Sequence, residues 1–328
     1  MSDRFVHHPS NKDLRTFVRV EPEQAGVQDM VNKHERNDNI TARISKMVFR
    51  KNGFFRNSVE GPSFSDHINA GRVIVPRING EGIHELQVET LTGPLEAAFE
   101  VARWRGDGYP TVIFHHGNNE RPFDRSRWAK NTFRNIFLKD EEFDANLIVV
   151  RAPFHDGSLK NYLQKIGQIS DFMAMISASV TISEAIIKSI REVSDKPIVV
   201  SGISLGGWVT NLHHAFFGSA DLYVPMLAGA RLGHVFTSSA YSVLTSPRGL
   251  RDKDHIEALL DFQAIYRNAD ASKSMPLLAL YDKFIVHDVQ AESYKGVGIK
   301  VIERGHVTAT LDDTALRDHI RDSFQNLS

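Results

Sequence analysis

The chain has 328 residues, of which 41% are hydrophobic and 24% charged, a composition typical of a globular protein with a sizeable core. The 39 basic and 40 acidic residues nearly cancel, so no long-range attraction to nucleic acid or to an anionic membrane is expected. The absence of cysteine excludes disulfides, thiolate metal sites and a cysteine nucleophile.

The N-terminal quarter of the chain is mostly polar. Residues 1–80 predict an irregular extension, part of which either covers the mouth of a site or is only partly ordered. Its first residues lack the apolar core of a signal peptide, and no apolar run in the chain approaches the roughly 20 residues that span a bilayer. We therefore expect a soluble, cytoplasmic protein without stable membrane insertion.

From residue 83 onward the pattern becomes regular. Two stretches that flank a TGP turn, 83–91 and 96–104, predict an antiparallel hairpin. Continuous apolar runs then predict buried strands, with helical spacing between them at 125–140 and at 170–194, where Ser170 is the expected N-cap. Further strands are predicted at 197–202, 221–230, 276–282 and 298–305, after the earlier ones at 110–117 and 145–154. Helices are predicted at 206–217 and 310–324.

This alternation predicts an α/β fold, with a mostly parallel, doubly wound sheet and helices on both of its faces. In such sheets the chemistry gathers at the carboxyl ends of the strands. Residues 231–275 separate two strands by far more than an ordinary loop, and they contain an amphipathic stretch. They predict a helical cap inserted over the active site of a domain that spans 81–328.

The motif Gly202-Ile203-Ser204-Leu205-Gly206 lies between a predicted strand and a predicted helix. In that context a sharp turn projects the serine hydroxyl above the sheet, and the N–H of Leu205 lies at a helix N-terminus, which favours a developing negative charge. A serine in an ordinary strand-to-helix turn is the alternative interpretation.

With this motif in place, the chain resembles the α/β-hydrolase superfamily over about residues 83–325. The resemblance implies a nucleophile, an acid and a histidine in that order along the chain. Asp282, which ends PLLALYD, matches the acid, and Asp288 is the alternative. His306, which follows GIKVIERG, matches the histidine.

The resemblance also implies an oxyanion hole and its donors. A His-Gly pair ends an early strand in this superfamily, and His116-Gly117 match it here. The N–H of Asn118 is therefore expected to join that of Leu205, with Asn119 as the runner-up.

Other polar residues near the predicted strand ends have two interpretations. Arg151 and His155, with His116, either contact the substrate or hold loops by hydrogen bonds. The pair His115-His116 is not expected to bind a metal, because adjacent strand residues point to opposite faces.

The expected function is acyl transfer by a serine esterase that acts on a small-molecule acyl substrate without cofactor or metal. Peptidase, thioesterase and acyltransferase activities stay open, since the same triad serves all of them. A hydrolase fold kept as a non-catalytic binding protein is the alternative from another class.

Overall fold

The structure is a computed structural model that describes residues 22–49, 52–139, 143–156, 158–325 and 327. Within these residues, eight strands form one sheet, and they are β1 Gly82–Val88, β2 Leu95–Arg103, β3 Thr111–His115, β4 Asn146–Arg151, β5 Ile198–Ile203, β6 Leu222–Met226, β7 Leu277–Ala279 and β8 Lys300–Ile302. Their order across the sheet is β1-β2-β4-β3-β5-β6-β7-β8. β1 and β2 form the predicted antiparallel hairpin, and β2 pairs antiparallel with β4. The remaining pairs are parallel, so the predicted mostly parallel sheet is confirmed.

Helices cover both faces of the sheet. They are α1 Pro22–Phe49, α2 Phe64–Ala70, α3 Leu159–Lys165, α4 Ile169–Arg191, α5 Leu205–Phe216, α6 Leu232–Thr237, α7 Pro247–Arg251, α8 Lys253–Leu260, α9 Gln263–Tyr266, α10 His287–Ala291, α11 His306–Thr310 and α12 Asp313–Gln325. Ile113 of β3 packs in an apolar cluster with α4, whereas Val112 and Phe114 pack in a second cluster with α12. Successive side chains of the strand therefore reach opposite layers, as a doubly wound sheet requires.

Helix α4 is the core helix of one layer. It begins at Ile169 after Gln168, whose side chain makes no capping hydrogen bond, so the prediction that Ser170 caps this helix is wrong. The buried Ile169 enters the helix first, and packing outweighs the capping preference of the serine. The expectation that no apolar run approaches the length of a membrane span is wrong for α4, which alone among the described residues is long and apolar enough to cross a membrane. However, 83% of its most apolar window is buried inside the protein.

The interval 231–275 consists of short helices. They are α6, α7, α8 and α9, with a 3₁₀-helix at Ala240–Leu244 between α6 and α7 and another at Ala271–Lys273 between α9 and β7. Phe54 pairs with this cap, because its N–H donates to the carbonyl of Leu244 at 2.9 Å. The largest apolar cluster of the described residues contains side chains of the cap, α1, α4 and α5.

Two predicted segments differ from the structure. The predicted irregular extension is wrong for Pro22–Phe49, which forms the long helix α1, and for Phe64–Ala70, which forms α2. Residues 1–21, 50 and 51 lie outside the described residues. The predicted helix at 125–140 is only partly correct, because its first half is turn and a π-helical turn occupies Arg134–Leu138. Asn131 explains the break, since its side-chain amide donates to the carbonyls of Pro122 and Asp124 and holds the chain in a loop.

Candidate active site

Ser204 lies in the sharp turn between β5 and α5. Its backbone has φ 54° and ψ −109°, a conformation that a non-glycine residue rarely adopts. The flanking glycines are required by close backbone approaches. A Cβ on Gly202 would lie 2.3 Å from the carbonyl oxygen of Gly206, and one on Gly206 would lie 2.0 Å from that of His115. The motif therefore forms the strained elbow that the sequence predicts.

The structure brings Ser204, His306 and Asp282 together. Ser204 Oγ lies 3.2 Å from His306 Nε2, and His306 Nδ1 lies 2.7 Å from Asp282 Oδ2. Asp282 is buried, and its other oxygen accepts the N–H groups of Phe284 and Ile285, both at 2.7 Å. These two bonds fix the carboxylate, so only Oδ2 is free to orient the imidazole.

The alternative acid does not reach this imidazole. The side chain of Asp288 is 94% exposed, and it pairs with the neighbouring His287. Asp282 is therefore the carboxylate that the geometry selects.

The electrostatics of His306 favour its charged form. Burial is the largest influence and lowers the pKa of this imidazole, but the charge of Asp282, its hydrogen bond and the charge of Asp38 together outweigh burial. The charge of Lys130 lowers the pKa of His306. The net result is a pKa above the ordinary value of histidine, which suits a base that must hold a proton during a reaction.

Two backbone N–H groups beside Ser204 lack a backbone acceptor within the described part of the chain. They belong to Leu205, the first residue of α5, and to Asn118, which follows the His-Gly pair after β3. Both residues line the cavity that contains Ser204. Asn119, the alternative oxyanion donor, already uses its N–H, which donates to Asn118 Oδ1 at 3.0 Å. The arrangement therefore favours Asn118 as the second donor.

The side chain of Asn118 is held from two sides. The hydroxyl of Tyr162 donates to Asn118 Oδ1 at 2.8 Å, and Asn118 Nδ2 donates to the hydroxyl of Tyr241 in the cap at 3.2 Å. Burial raises the pKa of both tyrosines, that of Tyr241 to about 12, so both hydroxyls stay protonated. The sequence carries no local signal for this clamp, because Tyr162 and Tyr241 lie 44 and 123 residues from Asn118.

A cavity of about 280 Å³ opens above Ser204. Its walls are largely apolar and come from many separate parts of the chain, among them Phe49 of α1, Phe172 of α4, Trp208 of α5 and Phe236 of the cap. Edge-to-face contacts join Phe172 to Phe236 with ring centroids 5.2 Å apart. The space beside the serine hydroxyl therefore suits an apolar group of modest size.

The three residues with two interpretations, substrate contact or loop support, lie outside this cavity. None of His116, Arg151 and His155 lines the described walls of the Ser204 cavity. Arg151 pairs with Glu85 at 2.6 Å. His116 accepts the N–H of Ala152 through Nε2 at 3.1 Å. Their contacts hold loops in place, which is the second of the two interpretations.

His155 reaches the site only indirectly. Its Nε2 lies 3.3 Å from Asn118 Oδ1, while Nδ1 lies 3.0 Å from the carbonyl oxygen of Pro153. Burial lowers the pKa of His155 to about 3, so the ring is neutral. It packs against the residue that carries a candidate oxyanion donor.

The rings of His115 and His116 do not point to opposite faces. They stack with centroids 4.9 Å apart, because the strand and its alternation end at His115. Burial lowers the pKa of both imidazoles, so both are neutral. Among the described residues, no group of three or more His, Asp or Glu side chains could hold a metal ion.

Comparison with known proteins adds only a likeness of fold. No protein-family model matches the sequence, and no curated protein matches it. Similar solved structures include an acylaminoacyl peptidase from Pyrococcus horikoshii, with 11% identity, a TM-score of 0.47 and coverage of 75% of this chain and 41% of that one. This chain thus spans about two fifths of the peptidase.

Two esterases are covered over most of their length. An acetyl xylan esterase from a Thermoanaerobacterium species has 14% identity and a TM-score of 0.48, over 77% of this chain and 90% of that one. An esterase from Pyrobaculum calidifontis has 14% identity and a TM-score of 0.47, over 93% and 98%. The fold of this chain is that of the α/β-hydrolases, as its own strand order and its elbow indicate.

Proposed function

We propose that the protein is a serine hydrolase that cleaves a carboxylic ester through an acyl-enzyme intermediate. One observation carries the proposal, namely the continuous relay from Ser204 Oγ through His306 to the buried carboxylate of Asp282. A serine hydroxyl is a weak nucleophile, and such a relay supplies the base that it needs and the group that orients this base.

The reaction begins with the transfer of the Ser204 proton to His306 Nε2 while Oγ attacks the ester carbonyl carbon. The carbonyl oxygen becomes an oxyanion that accepts the N–H groups of Leu205 and Asn118. The loss of one such donor typically reduces kcat by about 10²–10³. Asp282 stabilises the charged imidazole, which then protonates the departing alcohol.

Deacylation repeats these roles with water as the nucleophile. His306 takes a proton from the water as its oxygen attacks the acyl carbon, and the same two N–H groups receive the second oxyanion. Collapse of that intermediate releases the carboxylic acid and returns the proton to Ser204 Oγ. The proposed cycle uses these three side chains, the two backbone N–H groups and water.

The cavity walls support an apolar acyl group as the substrate part that binds beside Ser204. Aromatic side chains from α1, α4 and the cap surround a space of about 280 Å³, which is near the small end of ligand-binding cavities. We therefore infer that the preferred substrates are esters of short or medium acyl chains rather than long ones.

The substrate proposal is tested with a series of nitrophenyl esters of increasing acyl length, beside thioester and peptide substrates of matched acyl group. The expected result is a maximum of kcat/KM at a short or medium ester. A Ser204→Ala variant with the melting temperature of the wild type is expected to show no turnover. Turnover of the peptide or thioester alone would redirect the proposal to that class of acyl bond.

A further inference from the structure

A second buried carboxylate, Asp38 of α1, lies against the loops that carry the acid and the histidine. Its Oδ2 accepts the N–H of His306 at 2.8 Å and that of Lys283 at 3.1 Å. Its Oδ1 accepts the N–H of Val307 at 2.9 Å. The side chain has no exposed surface, so all three bonds are made in a protein interior, where losing them leaves polar groups without partners.

These bonds join two separate parts of the site. Lys283 directly follows Asp282, and His306 is 24 residues farther along than that acid. Asp38 therefore holds the backbone at both ends of the 2.7 Å bond between Asp282 Oδ2 and His306 Nδ1. A shift of either loop would lengthen this bond and turn the imidazole away from Ser204.

The neighbouring residues of α1 contact the same two loops. Glu35 pairs with the ammonium group of Lys283 at 2.7 Å, and His34 Nδ1 lies 2.8 Å from Thr308 Oγ1. The helix lies so close that a Cβ on Gly305 would be 2.9 Å from both Asp38 Oδ2 and the carbonyl oxygen of His34. Helix α1 is therefore docked on the histidine loop with no room for a side chain between them.

We propose that Asp38 is a positioning residue of the active site, which fixes the backbone of the acid and histidine loops and adds a negative charge behind His306. The proposal rests on the proposed function for its catalytic consequence. It assigns to the N-terminal helix a part in the reaction, although Asp38 itself does not touch the substrate.

Charge and burial support this role. Burial and the nearby charge of Asp282 raise the pKa of Asp38, while the N–H of Val307 and the charge of His306 lower it. The titratable and charged groups around the Asp38 carboxylate and the His306 imidazole are Asp282, Lys130, His34 and the ion pair of Glu35 with Lys283. The two carboxylates Asp38 and Asp282 both favour the protonated imidazole, so removing either charge lowers the pKa of His306.

The test compares Asp38→Asn with Asp221→Asn. The control residue also accepts a backbone N–H, that of Ile198 at 2.6 Å, but it lies at the amino end of β5, opposite the end that carries Ser204. The pKa of His306 is measured by NMR on selectively labelled histidine, with the signal assigned from a His306→Ala variant. kcat and KM are measured with the best nitrophenyl ester.

The expected result for Asp38→Asn is a lower pKa of His306 and a kcat reduced by about 10²-fold, the effect of a small misplacement of a catalytic group, with KM within a few-fold of the wild type. Asp221→Asn is expected to change neither quantity. A folded Asp38→Asn protein with the wild-type pKa of His306 and the wild-type kcat would overturn the proposal.

A second variant covers the case in which Asp38→Asn does not fold. Gly305→Ala inserts one methyl group between Asp38 and the loop without changing any charge, and it is expected to lower both kcat and the pKa of His306. Wild-type values of both in Gly305→Ala would overturn the proposal. The NMR comparison needs no turnover, so it decides the role of Asp38 even if the protein proves not to hydrolyse esters.

Discussion

Replacing Asp282 by asparagine should disable the base while leaving its position unchanged. The N–H groups of Phe284 and Ile285 donate to Oδ1 at 2.7 Å, and they hold the amide oxygen of the new side chain there. The amide nitrogen must then face His306 Nδ1, where Oδ2 accepts a hydrogen bond in the wild type. Because that nitrogen only donates, Nδ1 must become the acceptor and the proton moves to Nε2.

In this tautomer His306 cannot take the proton of Ser204. The expected loss in kcat is about 10⁴ at neutral pH, which corresponds to about 5 kcal/mol of transition-state stabilisation. The assay is steady-state ester hydrolysis by Asp282→Asn beside Asp288→Asn. The exposed Asp288 makes no contact with the imidazole, so its variant should keep wild-type kcat. Retained activity in Asp282→Asn with loss in Asp288→Asn would refute the assignment.

Three further changes test other parts of the site. Gly206→Ala would place a Cβ 2.0 Å from the carbonyl oxygen of His115. The free energy of unfolding, measured by denaturant titration, should therefore fall by about 3 kcal/mol. An unchanged midpoint of the denaturant titration would contradict the elbow geometry. Phe236→Ala should lower the free energy of unfolding by about 3–5 kcal/mol. Because Phe236 lines the cavity, the same change should move the maximum of kcat/KM to esters of longer acyl chains. An unchanged dependence on acyl length would mean that the acyl group binds elsewhere. His306 must be neutral to act as the base, and its pKa is raised above 6.5. kcat/KM should therefore fall as the pH decreases, with a midpoint above 6.5. A midpoint well below 6.5 would argue against His306 as the base.

The sheet and the elbow were predictable because their signals are local. β3, β4 and β5 are buried on both faces, and such strands read as continuous Val, Ile and Leu runs. The turn at Ser204 is specified by glycines within two residues of it. The acid and the histidine were expected from the resemblance to the α/β-hydrolase superfamily, which implies their order along the chain.

Helix α1 and its role at the site were not predictable from the pattern of apolar residues. Within residues 33–49 of this helix the buried positions are His34, Asp38, Ala42 and Phe49, which share one helical face. Two of the four are polar, and the apolar residues at helical spacing are exposed, namely Ile40, Ile44, Met47 and Val48. The apolar pattern therefore does not mark the face that packs on the protein. The partners of Asp38 lie 245 to 269 residues away, and no local motif encodes such contacts.

The histidines of α5 show a related difficulty. His213 and His214 are adjacent on α5, yet both are buried. His213 lies 3.2 Å from the carboxylate of Glu184 on α4, and His214 stacks on Tyr223 of β6 with centroids 4.1 Å apart. Burial in the layer between α4 and the sheet, which the sequence does not reveal, decides the environment of both rings.

The most direct test of the central claim is covalent labelling of the folded protein with a fluorophosphonate, followed by intact-protein and peptide mass spectrometry. The account predicts one adduct per chain on Ser204, none in Ser204→Ala, and slow labelling in Asp282→Asn. Wild-type protein that is folded by circular dichroism and yet stays unlabelled, or that carries its adduct on another residue, would contradict the assignment of Ser204 as a nucleophile.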